Sequence, residues 1–341
     1  MIDLRTDGVT RPTPEMRQAM LDAVIGDDVL GDDPTVLRLQ QMAAERLGKE
    51  AGLFVPSGMM GNLLAVRLFA RQGLSVVCEP RTHLCVCAII AMAGGNPSPV
   101  AGDKYGVMPL DKLDAALASD AFGRKATLLC LEDSFNGAGG TALTPAYVAA
   151  AAGLAHARGI PVHLDGARLF NAAVALGVDA AEIARPADTV MFCISKGLSS
   201  PVGSLLVGRR ELIEEAAHLR HLHGGAMRQA GLLAACGIIS LEKMVDRLAE
   251  DHANARLLAE GLAQIEGVSI DLDLVQTNLI YFDVAGAPAT EVEARLRAQG
   301  VSLLAVGPHT LRAVTHKDVS RQDCMTALQV MRQVLPALHA R

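Results

Sequence analysis

The feature that most limits what this chain can fold into is a series of short, continuous apolar runs separated by helix-like stretches between about residue 50 and residue 208. The runs are LSVVCEP (74–80), ATLLCLED (126–133), IPVHLD (160–165), DTVMFCIS (188–195) and GSLLVG (203–208). A strand that is apolar at nearly every position, rather than at every second one, has both faces covered, which is the mark of a parallel sheet layered between helices. This part of the chain therefore reads as an α/β domain. From 210 to 267 apolar residues recur at helical spacing, broken by Gly224 and Gly225, as in a connector between domains. Beyond it, strand-like VSIDLD (268–273), TNLIYFDV (277–284) and TLRAVTH (310–316) alternate with helical patterns over 289–299 and from about Ser320. The pattern predicts a large α/β domain over 1–240, which includes the N-terminal segment, and a small α+β domain over 241–341. No Gly/Ser linker separates them, so they are expected to pack tightly.

At 341 residues the chain is long enough for two domains of about 150 residues each. Its net charge of −6, no Trp and only 3 Tyr leave neither a basic surface nor stacking platforms, so nucleic acid is excluded as a partner. The opening MIDLRTD carries Asp3, Arg5 and Asp7 where a secretory signal would be uninterruptedly apolar. The uncharged stretch 134–157 is Ala/Gly-rich, contains Pro145, and reads as a loop feeding a buried helix rather than a bilayer span. Seven cysteines, an odd number without paired CxxC spacing, sit mostly in apolar runs and suit a reducing compartment. A cytoplasmic protein with no membrane partner is expected.

In an open parallel sheet, ligands bind beyond the carboxyl ends of the strands. Three such ends carry reactive residues: Asp165 and Arg168 in HLDGAR, Lys196 in CISKG, and Asn136 with three glycines in LEDSFNGAGG. A lone acid after a strand reads equally well as a helix cap, and a lone lysine as a solvated charge. Together they suggest more. A lysine ending a hydrophobic strand can become nucleophilic towards a carbonyl, and an aspartate one strand away can pair with a protonated ring nitrogen. Pyridoxal phosphate (PLP) catalysis requires that pair. Its phosphate needs a helix N-terminus, which FVPSGMMGN (54–62) supplies through Ser57 and Gly58, although a simple capped helix explains the same segment.

With these residues in view, the sequence resembles the low-specificity L-threonine aldolases, PLP-dependent lyases of fold type I in the β-eliminating lyase superfamily. The resemblance runs from IDLRTD to RAVTH through RPTPEMR, GDDPTV, PSGMMGN, HLDGAR, SKGLSSPVGS, GGAMRQAG and HTLRAVTH. It implies a mainly parallel seven-stranded sheet in the large domain, and PLP as cofactor. By this resemblance Lys196 forms the Schiff base, Asp165 holds the pyridinium protonated and His83 stacks over the ring. Ser57, Gly58 and Met59 bind phosphate, while Thr6, Arg168 and Arg312 receive the substrate carboxylate, the arginines by charge-assisted contacts. Retro-aldol cleavage of a β-hydroxy-α-amino acid, L-threonine or L-allo-threonine by default and phenylserine as a bulkier candidate, would give glycine and an aldehyde. A homodimer or homotetramer with sites at subunit interfaces is also implied.

Five positions depart from the family pattern. Leu30 stands where a tyrosine is usual, Met59 where a threonine hydroxyl meets phosphate, Phe135 where a histidine lies near the substrate hydroxyl, Gly8 where a threonine is usual, and His221 where a lysine is common. Phe135 is expected to border the β-substituent and favour a bulkier or differently configured one. These departures keep open a related PLP chemistry, namely elimination, racemisation or aldehyde transfer, and an inactive PLP-fold protein. No metal is expected. His218, His221 and His223 gather at a helix end, where cations suit the dipole, and His83, Cys85 and Cys87 alternate without needing zinc. His163, two residues before Asp165, is expected to hydrogen-bond within the sheet layer.

Overall fold

The computed structural model describes residues 1–69, 75–120 and 125–339. After a short first strand, β1 (Ile2–Asp3), seven strands build the large sheet: β2 (Ala51–Val55), β3 (Ser75–Cys78), β4 (Asn96–Pro99), β5 (Ala126–Glu132), β6 (Val162–Asp165), β7 (Thr189–Cys193) and β8 (Ser204–Gly208). Their order is β2-β8-β7-β6-β5-β3-β4. The five from β7 to β4 are parallel, and β8 runs antiparallel to both of its neighbours. Every residue of β6, β7 and β8 is buried, as continuous apolar runs require. The edge strand β4 reads NPSP, and proline, which cannot donate to a ladder, is tolerated at an edge.

Helices α1 (Pro14–Asp22) and α2 (Pro34–Arg46) start at Thr13 and Asp33, whose side chains accept from the first-turn N–H groups, with proline next. Helix α3 (Gly58–Phe69) lies against β7 so closely that a Cβ at Gly61 would stand 2.6 Å from Met191 Cγ, and one at Gly58 2.8 Å from Cys193 Sγ. Glycine there sets how near the helix N-terminus comes to the sheet. The one-turn helix α4 (His83–Val86) follows β3.

The helical stretch resolves into Arg210–Leu222, Gly231–Lys243 and Leu248–Leu262, and Gly224 adopts a left-handed φ of 71° just after the first. The C-terminal unit contains β9 (Val268–Ser269), β10 (Leu279–Val284), β11 (Val301–Ser302), β12 (Leu304–Ala305) and β13 (Thr310–Val314). Four of these form an antiparallel sheet in the order β12-β13-β10-β9, packed on the helices Ala289–Ala298 and Arg321–Val334.

Two details differ from the expected division at 240. That position falls inside the continuous helix Gly231–Lys243. The N-terminal segment also divides: β1 pairs in parallel with β11, and Leu4 is buried in the core formed by Leu258, Phe282 and Met331, so the first residues belong with the C-terminal unit. Burying Leu4 there ties the chain start across the structure and carries residues 6–10 over the sheet's carboxyl ends.

Candidate active site

The ends of β6 and β7, the start of α3 and the N-terminal segment meet around a cavity of about 340 Å³, lined by Gly8, Ser57, Gly58, Met59, His83, Lys196 and Gly203 among others. Ser57 caps α3, its Oγ accepting from the Met60 N–H at 3.2 Å. In the first turn the N–H groups of Gly58 and Met59 have no intrahelical acceptor, and the positive end of a 12-residue helix lies behind them, the arrangement that suits an anion.

Lys196 stands three residues beyond β7. Thr10 fastens its backbone, the hydroxyl donating to the Lys196 carbonyl at 2.8 Å and to that of Asp7 at 2.9 Å. One strand over, Asp165 ends β6 with no exposed surface. Its Oδ2 accepts from Asn62 Nδ2 at 2.7 Å, and its Oδ1 from the Ala167 N–H at 3.1 Å. His83 Nδ1 lies 3.7 Å from Asp165 Oδ2.

Burial, with help from the Lys196 and Arg168 charges, lowers the His83 pKa despite the opposing pull of Asp165. The imidazole is therefore biased towards its neutral form. Glu132 ends β5 beside Asp165 and grips two loops, its Oε2 accepting from the His83 N–H at 2.6 Å and its Oε1 from the Asn136 N–H at 2.9 Å. Burial, and then the nearby Asp165 charge, push this carboxyl up to about 8.

Arg168 is locked by Asp7: Nε donates to Asp7 Oδ2 and Nη2 to Oδ1, both at 2.8 Å. Asn278 Nδ2 adds a donor to Asp7 Oδ2 at 3.1 Å. Burial works to raise the Asp7 pKa, but the guanidinium prevails and holds the carboxyl well below its usual range. Arg168 responds in kind, with Asp7 overcoming burial to hold it protonated. Two of the three guanidinium nitrogens are thus committed to Asp7, and Nη1 lies 3.5 Å from Asn136 Oδ1.

The expected residues divide into three groups. Lys196, His83, Ser57, Gly58 and Met59 line one cavity, with Asp165 and Arg168 buried around it. Thr6 and Arg312 do not line it: Thr6 Oγ1 accepts from the Gly8 N–H at 3.2 Å, and Arg312 Nη2 donates to the Arg5 carbonyl at 3.2 Å. Arg312 Nε is buried with no partner among the described residues, so the guanidinium keeps a donor unsatisfied.

Phe135 departs from expectation. It is buried and outside the cavity lining, its ring turned towards Gly106, where a Cβ would come within 2.4 Å of Phe135 Cδ1, and Arg81 stacks on it at 5.4 Å. The glycine leaves the space that draws an apolar ring inwards, away from any substrate in this cavity. Leu30 is 73% exposed and touches nothing that explains it. His221 is exposed at the end of helix Arg210–Leu222.

Sequence reasoning missed Asp7, Asn62, Glu132 and Asn278. Asn62 carried a signal, being a lone amide inside the otherwise apolar GMMGNLLAV face of a helix, where burial demands a polar partner.

The residues present fit PLP. A buried aspartate and a lysine stand at the ends of neighbouring parallel strands, and a helix N-terminus opens onto the same cavity at Gly58, where a Cβ would come 2.8 Å from Cys193 Sγ. That arrangement, in a mainly parallel sheet with a smaller C-terminal unit, defines a PLP-dependent enzyme of fold type I. The chain belongs to the beta-eliminating lyase family, whose profile it matches over residues 3–285. It is 38% identical over 344 residues to low-specificity L-threonine aldolase 1 of Arabidopsis thaliana, covering 98% of this chain and 96% of that one. The low specificity L-threonine aldolase of Escherichia coli strain K12 is 41% identical over 327 residues, covering 95% and 96%. Among solved structures, threonine aldolase from Leishmania major superposes with a TM-score of 0.83 at 18% identity, covering 98% of this chain and all of that one. Serine palmitoyltransferase of Sphingomonas wittichii gives 0.80 at 17% identity, covering 99% and 88%.

Proposed function

We propose that this chain is a PLP-dependent aldolase that cleaves β-hydroxy-α-amino acids, L-threonine or L-allo-threonine first, to glycine and an aldehyde. The observation that carries the reading is the placing of Lys196, His83 and the α3 N-terminus around one cavity, with Asp165 buried against it. Near-full-length identity to two low-specificity threonine aldolases supports the choice of substrate class.

The N–H groups of Gly58 and Met59 and the Ser57 hydroxyl would hold the phosphate. Lys196 would supply the amine that holds the cofactor. Asp165 would pair with the pyridine nitrogen, and His83 would pack against the ring. When bound, PLP would supply an electron sink for a bond broken at the substrate Cα. The protein chooses that bond. Arg168 Nη1, held in place by Asp7, and Arg312, with its free Nε, would fix the substrate carboxylate and so select Cα–Cβ as the bond that breaks. His83, biased to its neutral form, receives the β-hydroxyl proton as that bond breaks and the aldehyde leaves. A dimer or a tetramer of dimers is the assembly we propose. None of the described helices is long and apolar enough to cross a membrane, and a cytoplasmic location is part of the same proposal.

The test incubates the PLP-loaded protein with L-threonine, L-allo-threonine and L-phenylserine while aldehyde, glycine and ammonia are followed together. Aldehyde and glycine in equal amounts are expected. Ammonia and a keto acid without glycine would overturn the aldolase reading in favour of elimination.

A further inference from the structure

Behind the candidate site lies a line of polar groups to which the mechanism assigns no task. His163 and Asp165 alternate with Leu164 along β6, so both project to the same face of the sheet, the face that α3 covers with Asn62. His163 Nε2 lies 3.0 Å from Asn62 Oδ1, and His163 Nδ1 lies 3.0 Å from the hydroxyl of Thr189, its register partner on β7. Asn62, His163, Asp165 and Thr189 have no exposed surface at all.

Hydrogen-bond chemistry fixes the direction of this chain. The Asn62 amide turns its NH₂ to Asp165 Oδ2 and therefore its oxygen to His163. That oxygen can only accept, so His163 carries its proton on Nε2. Nδ1 is then bare and receives the Thr189 hydroxyl. All three bonds point one way, from Thr189 through His163 and Asn62 to Asp165. Burial drives the His163 pKa down to about 4, which keeps the imidazole in the neutral, one-proton form this order needs.

We infer that the Thr189–His163–Asn62 chain is a positioning device that orients Asp165 towards the pyridine nitrogen of bound PLP, and so helps keep that nitrogen protonated. The inference rests on the assignment of Asp165 to that nitrogen. A donor chain aligned in a dry environment stabilises the negative charge at its end, and each link polarises the next. Other titratable groups stand close by: Glu132 on β5 adds a carboxyl beside Asp165, and the buried thiol of Cys130 also faces it, while His83 and Lys196 stand on the cavity side. Without the donor chain the Asp165 carboxyl would lose the bond that fixes the orientation of Oδ2.

The test reconstitutes the enzyme with PLP labelled with ¹⁵N in the ring and reads the ring-nitrogen resonance against pH, alongside titration of the apoprotein with PLP. Variants Asn62→Leu and His163→Leu are expected to lower the pH at which the ring nitrogen loses its proton by about one unit or more, as loss of one hydrogen bond to a charged group implies. PLP affinity should fall roughly tenfold, with kcat reduced more than KM. His163→Gln, whose amide offers one donor and one acceptor, should restore part of both. Asp165→Asn is the control that separates the two claims. If it removes ring protonation while Asn62→Leu and His163→Leu leave ring titration and affinity unchanged, the positioning chain is refuted and the Asp165 assignment stands. If Asp165→Asn leaves ring protonation unchanged, the assignment itself falls and the inference with it. Should the leucine variants not fold, Thr189→Val removes only the terminal hydroxyl, and a smaller shift in the same direction is expected; no shift would refute the chain.

Discussion

Replacing Asp7 by Asn keeps the shape of the side chain and removes only its charge. Asp7 has no exposed surface and meets Arg168, 7% exposed, through two bonds of 2.8 Å. The amide leaves one oxygen for the guanidinium and turns an NH₂ towards another donor, so a buried cation loses its counter-ion and one hydrogen bond. Removing one partner of a buried ion pair costs about 3–5 kcal/mol, a large share of the roughly 5–15 kcal/mol that holds a typical protein folded. The urea midpoint, measured at one protomer concentration, should fall accordingly. Substituting Arg168 by Met as well removes the stranded charge, so the double variant should lose clearly less than the sum of the single losses. The pair also has a pH signature. Because Arg168 holds the Asp7 pKa below its ordinary 3.8, the stabilisation is fully present above that pH and is lost as the pH falls through the lower folded value. A loss under about 1 kcal/mol for Asp7→Asn, with single losses that simply add, would refute the view that Asp7 exists to hold a buried Arg168.

Gly61→Ala places a methyl 2.6 Å from Met191 Cγ and should push α3 off β7, lowering stability by about 1–3 kcal/mol and weakening PLP retention, as thermal melts of apo and loaded protein will report. Met59 lines the cavity at the first turn of α3, and Met59→Thr, by adding a hydroxyl beside the phosphate, should tighten PLP binding about tenfold in an apoprotein titration. His163 and His252 are both driven down to about 4 from 6.5 by burial, so the unfolded chain binds more protons between those values. Their contribution to stability is therefore present above 6.5 and lost as the pH falls towards 4, and replacing His252 by Phe should flatten the denaturation midpoint over that window.

How much of this the sequence disclosed follows from what each residue type must do. Strands β5, β6 and β7 were legible because burial on two faces leaves nothing but apolar side chains. The edge strand β4 was not, since NPSP carries none of that signature and owes its place to pairing with β3. The direction of β8 was also hidden, because an apolar run reads the same both ways. The short loop between Cys193 and Ser204 was the overlooked clue, for a parallel neighbour would need a longer crossover. At the site, Lys196 and Asp165 were legible from their positions at strand ends. Asp7 was not, since its burial depends on β1 pairing with β11 some 300 residues away, a two-residue contact with no local pattern. Phe135 was placed at the substrate by its motif, and the space left by Gly106 explains why the ring turns elsewhere.

The central claim is that Lys196 is the amine that carries PLP. Borohydride reduction of the loaded protein, followed by proteolysis and mass spectrometry, should place the pyridoxyl group on Lys196, and Lys196→Ala should show neither the adduct nor the release of glycine and aldehyde from L-threonine. An adduct on another lysine, or undiminished cleavage by Lys196→Ala, would contradict the account at its root.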